Sequence, residues 1–345
     1  MAIDLSASEQ VGPALLEYLA ARLGVAGLQF AEPPEQITHG WETYTYSFRI
    51  VKAGREPAWA EPLILRIYPG DDQALKAEQE AAIQRYAAGR GYPAPRPLAA
   101  ETDPSILGRP FMIMERARGE PMLDLMAASP TKAVRFAALL ADTHVALHRL
   151  PVDGCPLPSD GSLIDRQLTF VRETLTQLGL ELPADARTAL CWLQAHKDAV
   201  MEEEVALCHH DFHPLNIMVD GEERVTVLDW PMSALGDRHS DIASTVVLLR
   251  TAPIDPPRLI ERLLARFGRG IFVWLYLRRY RRHLPIDAER LRYWEAFRAF
   301  VWWVELFAFE SVDLALLGVK PDTAARIPAG HLVAIQRYFW RRAKD

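Results

Sequence analysis

Apolar positions along the chain change period several times. In residues 8 to 24, Val11, Leu15, Leu19 and Leu23 recur at near-helical spacing and predict an amphipathic helix that Gly24 and Gly27 end. From Ile37 the period becomes two. Tyr44, Tyr46, Phe48 and Ile50 fall on one face and Thr45, Ser47 and Arg49 on the other, which reads as a half-buried strand pairing back on the segment around Ile37 through a turn at His39 to Glu42. Pro62 to Tyr68 is a second short apolar strand, interrupted by one cation, Arg66. A helix carrying Glu80 is expected from an N-cap at Asp71 or Asp72 to about Ala88, and Arg109 to Met114 reads as a further apolar strand.

Beyond about residue 120 the spacing turns helical. Ala137 to Leu150 presents one buried face, a proline-rich linker runs from Pro151 to Ser162, and a helix through Trp192 to Val200 follows. Two short strands are expected next, Asn216 to Val219 and Val225 to Leu228, turning at Gly221. An apolar helix from Ala243 to Leu249 has Ser240 or Asp241 as its expected cap, and the last hundred residues are helical and rich in aromatic side chains.

The 345 residues are 50% hydrophobic and 24% charged, enough for a sizeable core in two lobes or domains. A net charge of -6 gives no basic footprint for nucleic acid. Cys155, Cys191 and Cys208 are scattered and suit a reducing compartment; with no signal pattern and no membrane-length apolar run, a cytoplasmic location is expected. The sequence leaves the oligomeric state open.

The chemistry concentrates between Leu207 and Trp230. Asp211 and Asn216 stand five residues apart, and Asp229 ends the second short strand, so a hairpin would carry Asp229 back beside Asn216. That set suits magnesium-assisted phosphoryl transfer, with Asp211 receiving a proton from an attacking hydroxyl and Asn216 and Asp229 holding Mg²⁺. Asp and Asn near proline are also ordinary turn residues. His209, His210 and His213 beside Asp211 leave a zinc hydrolase as a second reading. A third is a pseudokinase that binds nucleotide without turnover.

The run His209, His210, Asp211, Phe212, His213, Pro214, Leu215, Asn216 resembles the His-x-Asp-x-x-x-x-Asn loop of the aminoglycoside phosphotransferase and choline kinase family, small-molecule kinases of protein-kinase-like fold. The resemblance implies a two-lobed α+β protein: an N-lobe antiparallel sheet with a helix over residues 1–117, and a mainly helical C-lobe over 118–345. It implies ATP and Mg²⁺ as cofactors and a small-molecule hydroxyl as acceptor. Arg66 matches the phosphate-gripping lysine, with an arginine's planar fork in place of an ammonium, and Glu80 its ion-pair partner. Gly40 lies in the loop over the phosphates, Met114 is the gatekeeper, and the Glu115 carbonyl and Ala117 amide read adenine. His148, in the family's Leu-His pair with Leu147, is expected as a hydrogen-bonded core histidine. Asp229 is followed by Trp230 and Pro231, not by the Phe-Gly of protein-substrate kinases.

For the acceptor, the helical segment from about Pro285 to Gly318 is apolar nearly all round. Arg292, Glu295 and Arg298 form a narrow charged strip, with Glu305 further along. Trp294, Trp303 and Glu305 are expected to border an acceptor more hydrophobic than an aminoglycoside, since few carboxylates gather here to neutralise a polycation. The basic aromatic run Phe272 to Arg282 leaves peripheral membrane contact as an alternative to a solvated face.

Overall fold

The structure, a computed structural model, describes residues 8–37, 43–51, 57–69, 73–201, 204–252, 259–312 and 330–344. The chain divides into two compact units: residues 1–119 with 226–231 returning to them, and most of the remainder.

In the first unit, α1 (Ser8–Leu23) precedes β1 (Phe30–Ile37), β2 (Tyr44–Ile50), β3 (Leu63–Ile67), α2 (Ala74–Gly89), β4 (Pro97–Glu101), the single turn α3 (Pro104–Leu107) and β5 (Phe111–Glu115). The strands form one sheet in the order β1-β2-β3-β5-β4, every neighbouring pair antiparallel. The period-two pattern explains which face is covered. Tyr46, Phe48 and Ile50 join Leu63, Leu65, Ile67, Phe111 and Ile113 in a core closed by Val11, Leu15 and Leu19 of α1. On the other face Ile64, Tyr68, Met112 and Met114 pack with Ala77 and Ala81 of α2. Buried on both faces, β3 has no solvent-facing position, so Arg66 cannot reach water as a lone strand cation usually does.

Two sequence expectations change in this unit. The expected strand at Arg109 begins two residues later, at Phe111. At the start of α2 the N-cap is Gln73, whose side chain makes no cap hydrogen bond. Asp71, Asp72 and Gly40 lie outside the described residues.

The second unit begins with β6 (Glu120–Pro121), α4 (Met122–Ala128), α5 (Ala133–His148), α6 (Leu163–Gln177), α7 (Ala184–Ala195), β7 (Val205–Cys208) and β8 (Ile217–Val219). β9 (Val225–Val227) then leads the chain into residues 226–231 of the first unit, and β10 (Ala234–Asp237), α8 (Arg238–Thr251), α9 (Leu259–Tyr280), α10 (Ala288–Ser311) and α11 (His331–Lys344) complete the second. β10 pairs antiparallel with β7, and β6 with β8. Asp237, not Ser240 or Asp241, caps α8, its carboxylate accepting the His239 N–H. That leaves Ser240 and Asp241 one turn inside the helix, where they are buried and turned to another use.

Candidate active site

In the first unit a buried guanidinium is held between two carboxylates. Arg66 Nη1 donates to Glu80 Oε1 at 2.6 Å and Nη2 to Asp229 Oδ1 at 3.1 Å, while Tyr68 donates its hydroxyl to Glu80 Oε2 at 2.5 Å. Burial alone would discharge Arg66, but the Glu80 and Asp229 carboxylates outweigh it and hold the cation charged. Burial likewise pushes the Tyr68 hydroxyl well up, so it keeps the proton it donates. Glu80 therefore makes a buried pair with Arg66. Asp229 differs from Glu80 in exposure, with 40% of its side chain open to solvent. Its backbone is left-handed, φ 67°, fixed from behind by Trp230, which donates its indole N–H to the Val227 carbonyl and packs edge-on against Tyr92.

Met114 is buried beside Gln84, and Glu115, at the end of β5, is tied through its carboxylate to Arg96. Ala117 follows, half-buried.

In the second unit the loop after β7 forms a separate constellation. Asn216 Nδ2 donates to Asp211 Oδ2 at 2.7 Å and to the Asp211 carbonyl at 3.0 Å. Across the carboxylate, His213 Nε2 lies 3.2 Å from Oδ1. The His213 Nδ1 accepts the Leu215 N–H, which leaves the ring proton on Nε2, facing the acid. Burial raises the Asp211 carboxyl, but His213, then the charges of His209 and Arg298, bring it below the usual carboxylate range. The Asp211 carboxylate is thus ionised and held on both oxygens.

Behind the loop stands Asp241, fully buried. Its Oδ2 accepts the His209 N–H at 2.6 Å and its Oδ1 the His210 N–H at 2.8 Å. These two bonds hold the chain where His210 takes the left-handed conformation, φ 62°, just before Asp211. Further out, Thr245 donates to the Phe212 carbonyl and Leu123 to the Pro214 carbonyl, so the loop is also fastened after Asp211. His148 completes the support as a buried, hydrogen-bonded histidine, with Nε2 3.2 Å from Asp241 Oδ2 and Nδ1 2.6 Å from the Tyr280 hydroxyl. Burial, then the neighbouring His144, lowers its pKa to about 3, so it is neutral.

The histidines at 209, 210 and 213 do not gather as zinc ligands. Both ring nitrogens of His210 are engaged, by Met232 O and Ser240 Oγ, and His213 is turned onto Asp211. Among the described residues the one group with metal-like spacing is His144, His148 and Asp241, all buried. Its spacing already follows from the tyrosine bonds to the two Nδ1 atoms and the backbone amides on the carboxylate.

The residues expected to border the acceptor are placed differently from that expectation. Trp294 and Trp303 are each 1% exposed. The Trp294 indole donates to Asp237 Oδ2 at 2.8 Å and Trp303 packs against Phe300 and Phe339, so both serve the core of the helical unit. Glu295 leaves the charged strip for a buried bond with the Tyr338 hydroxyl and an ion pair with Arg342. Glu305 alone of the three is exposed. The α9 face carries exposed Phe267, Ile271 and Trp274, with Arg278 over the Trp274 ring. No helix among the described residues is long and apolar enough to cross a membrane.

Sequence reasoning passed over Asp241 as a cap and gave Arg298 no task. A visible signal for Asp241 was its position inside an otherwise apolar helical run, where an ionised side chain needs partners.

One unit with an antiparallel sheet and a carboxylate-anchored cation, and a second, mainly helical unit with an ionised aspartate and an asparagine on one fastened loop, define a two-lobed, protein-kinase-like α+β fold. The sequence pattern of the phosphotransferase enzyme family matches residues 34–283, and the chain belongs to that family.

Among solved structures, an aminoglycoside phosphotransferase homologue from Ralstonia eutropha aligns with a TM-score of 0.67 at 20% identity, covering 96% of this chain and 98% of the other. APH(4)-Ia bound to ADP and hygromycin B aligns at 0.62 and 17%, covering 94% and 98%. These likenesses concern the fold. By sequence, the chain is 30% identical over 245 residues to mouse acyl-CoA dehydrogenase family member 10, covering 67% of this chain and 21% of that protein. It is 34% identical over 149 residues to the aminoglycoside 3'-phosphotransferase of Streptomyces fradiae, covering 39% of this chain and 53% of that one. The chain thus spans about a fifth of the first of these relatives.

Proposed function

We propose that the protein is an ATP-dependent O-phosphotransferase for a small-molecule hydroxyl. The observation that carries this reading is Asp211, ionised and held by Asn216 and His213 so that one carboxylate can receive a proton from an attacking hydroxyl. Arg66, fixed by Glu80, steadies the nucleotide phosphates, and Met114, the Glu115 carbonyl and the Ala117 amide meet the adenine, with Gly40 in the loop over the phosphates. The first unit is accordingly the nucleotide-binding one and the second carries the catalytic loop and acceptor region.

The donor set suits magnesium. Asn216 spends its amide nitrogen on Asp211, which leaves Oδ1 as a hard oxygen ligand, and Asp229 offers an exposed carboxylate with one oxygen on Arg66. Bound Mg²⁺ would neutralise phosphate charge; the protein's own part is to orient the acceptor, remove its proton and fix the phosphates. An ADP-release screen across hydroxylated sugars, amino alcohols, aminoglycosides and acyl compounds tests the function, and no acceptor-dependent ADP with any of them would contradict it. The relative that covers most of this chain has an acyl-CoA dehydrogenase name, which favours a hydroxyl on an acyl compound over an aminoglycoside.

Two expected results concern the phosphates. Arg66→Ala should raise KM for ATP, Glu80→Ala should raise it less, and the double variant should fall short of their sum, because the two side chains are in contact. Strict additivity would separate Glu80 from the phosphate grip. Asp229→Ala should shift the Mg²⁺ titration of nucleotide binding to higher concentration, and an unchanged titration removes Asp229 from the metal set.

A further inference from the structure

Helix α9 is apolar on two opposite faces. Phe272, Val273, Tyr276, Leu277 and Tyr280 are buried toward α5 and α8, as a helix of the packed core requires. On the outer side Phe267, Ile271 and Trp274 are 70%, 58% and 54% exposed. Steps of four and then three residues place these three on one strip. Arg278 continues the strip by one turn, its guanidinium 5.0 Å from the centre of the Trp274 ring, so the apolar and cationic parts join. Just past the helix end, Arg281 and Arg282 are exposed and form no ion pair among the described residues. Arg279 is the one that meets a carboxylate, Asp142. Residues 262–286 hold seven arginines and no aspartate or glutamate, in a chain whose net charge is -6.

An outward helix face is normally polar, and large apolar side chains grouped on one mark a binding surface. The charge of the strip calls for an anionic partner. A second copy of this chain does not supply one, because a two-fold contact sets the same acid-free, arginine-rich strip against itself. The shape calls for a partner that yields. Side chains more than half exposed form a ridge, whereas a peptide is gripped by a groove. A bilayer interface closes round a ridge, takes aromatic and aliphatic side chains at the headgroup level and offers phosphates to the flanking cations. We propose that the α9 strip seats the protein on an anionic lipid bilayer, with Phe267, Ile271 and Trp274 entering the interface and Arg278, Arg281 and Arg282 meeting lipid phosphates. The helix lies along the surface and does not cross it. This contact goes beyond the phosphotransferase reading and does not depend on it.

The test sediments the full-length protein with vesicles of phosphatidylcholine alone and with vesicles of about three parts phosphatidylcholine to one part phosphatidylglycerol. Wild type should bind the anionic vesicles about tenfold more tightly or better, and raising the salt from about 0.05 to about 0.5 M should release most of it. The double variant Ile271→Ser, Trp274→Ser should weaken binding to the anionic vesicles by about tenfold. Arg281→Ser with Arg282→Ser should remove much of the preference for them. All four positions are exposed, so circular dichroism and melting temperature should match wild type. Should the apolar double variant not fold, wild type with vesicles of brominated acyl chains gives a second readout, and its tryptophan fluorescence should be quenched. No binding, equal binding to both vesicles, variants that bind as wild type does, or unquenched fluorescence would overturn the assignment. So would a dimer in sedimentation equilibrium that Trp274→Ser dissolves, which would give the strip to a second copy. Tighter binding of polyglutamate than of the anionic vesicles would give it to an acidic protein and overturn the lipid assignment too.

Discussion

Asp211→Asn is expected to lower turnover by roughly 10²–10⁴-fold, the usual contribution of a positioned general base. KM for ATP should stay within about twofold, because the replacement keeps the shape of the side chain and an amide oxygen that can still accept the Asn216 N–H. The amide cannot accept the hydroxyl proton, and His213 loses the carboxylate it faces. Rapid-quench measurement of a single turnover isolates the chemical step from product release. A loss below tenfold in that step would move the base elsewhere.

The second large effect is expected at a residue that touches no substrate. Asp241→Ala strips the acceptors from the His209 and His210 amides and from His148, all in the interior. Each orphaned buried donor costs about 1–3 kcal/mol, so chemical denaturation should show a loss of about 3 kcal/mol or more. Turnover should fall too, because the same amides fix the backbone at Asp211. A loss under about 1 kcal/mol would mean that water or a neighbour replaces the carboxylate.

The pH dependence has a definite sign. Asp241 has its pKa well below the ordinary value, since His144 and then His148 outweigh burial, and His148 is lowered to about 3 by burial. Both groups are depressed on folding, so each adds stability that is complete above its unfolded pKa, about 3.9 for Asp and 6.5 for His, and is lost as the pH falls. Stability should therefore begin to decline below about pH 6.5 through His148 and decline again below about 4 through Asp241. His148→Gln, measured by denaturant unfolding across that range, should reduce the first decline, leaving the parts due to His210 and His331, which burial also depresses, and should weaken the second because His148 helps to lower Asp241.

The sheet was readable from period-two runs because its faces differ. The pairing of Ile37 with Thr45 and the burial of Tyr46, Phe48 and Ile50 are what the alternation at 44 to 50 requires. Arg66 and Glu80 were readable as partners from the family resemblance, and a strand buried on both faces supplies the physical reason for their contact. The aromatic helix was harder. Trp294 and Trp303 give the same hydrophobic pattern whether they line a pocket or fill a core, and it is their burial, the bond from Trp294 to Asp237 and the packing of Trp303 on Phe300 and Phe339 that separate the two cases. The cap of α8 was misplaced for a related reason: Ser240 and Asp241 can start a helix as well as Asp237 can, and which does depends on where β10 stops.

The left-handed backbone at Asp229 sets limits on how the protein can be improved by selection for robustness. Outside glycine, that conformation costs roughly 1 kcal/mol, somewhat less for Asp and Asn than for most side chains. Asp229→Gly would relax the chain and could raise the melting temperature, yet it would delete the carboxylate that meets Arg66. A library screened for thermal tolerance alone should therefore enrich glycine at 229 among inactive survivors, whereas one screened for turnover should hold aspartate there and find its stabilising changes elsewhere.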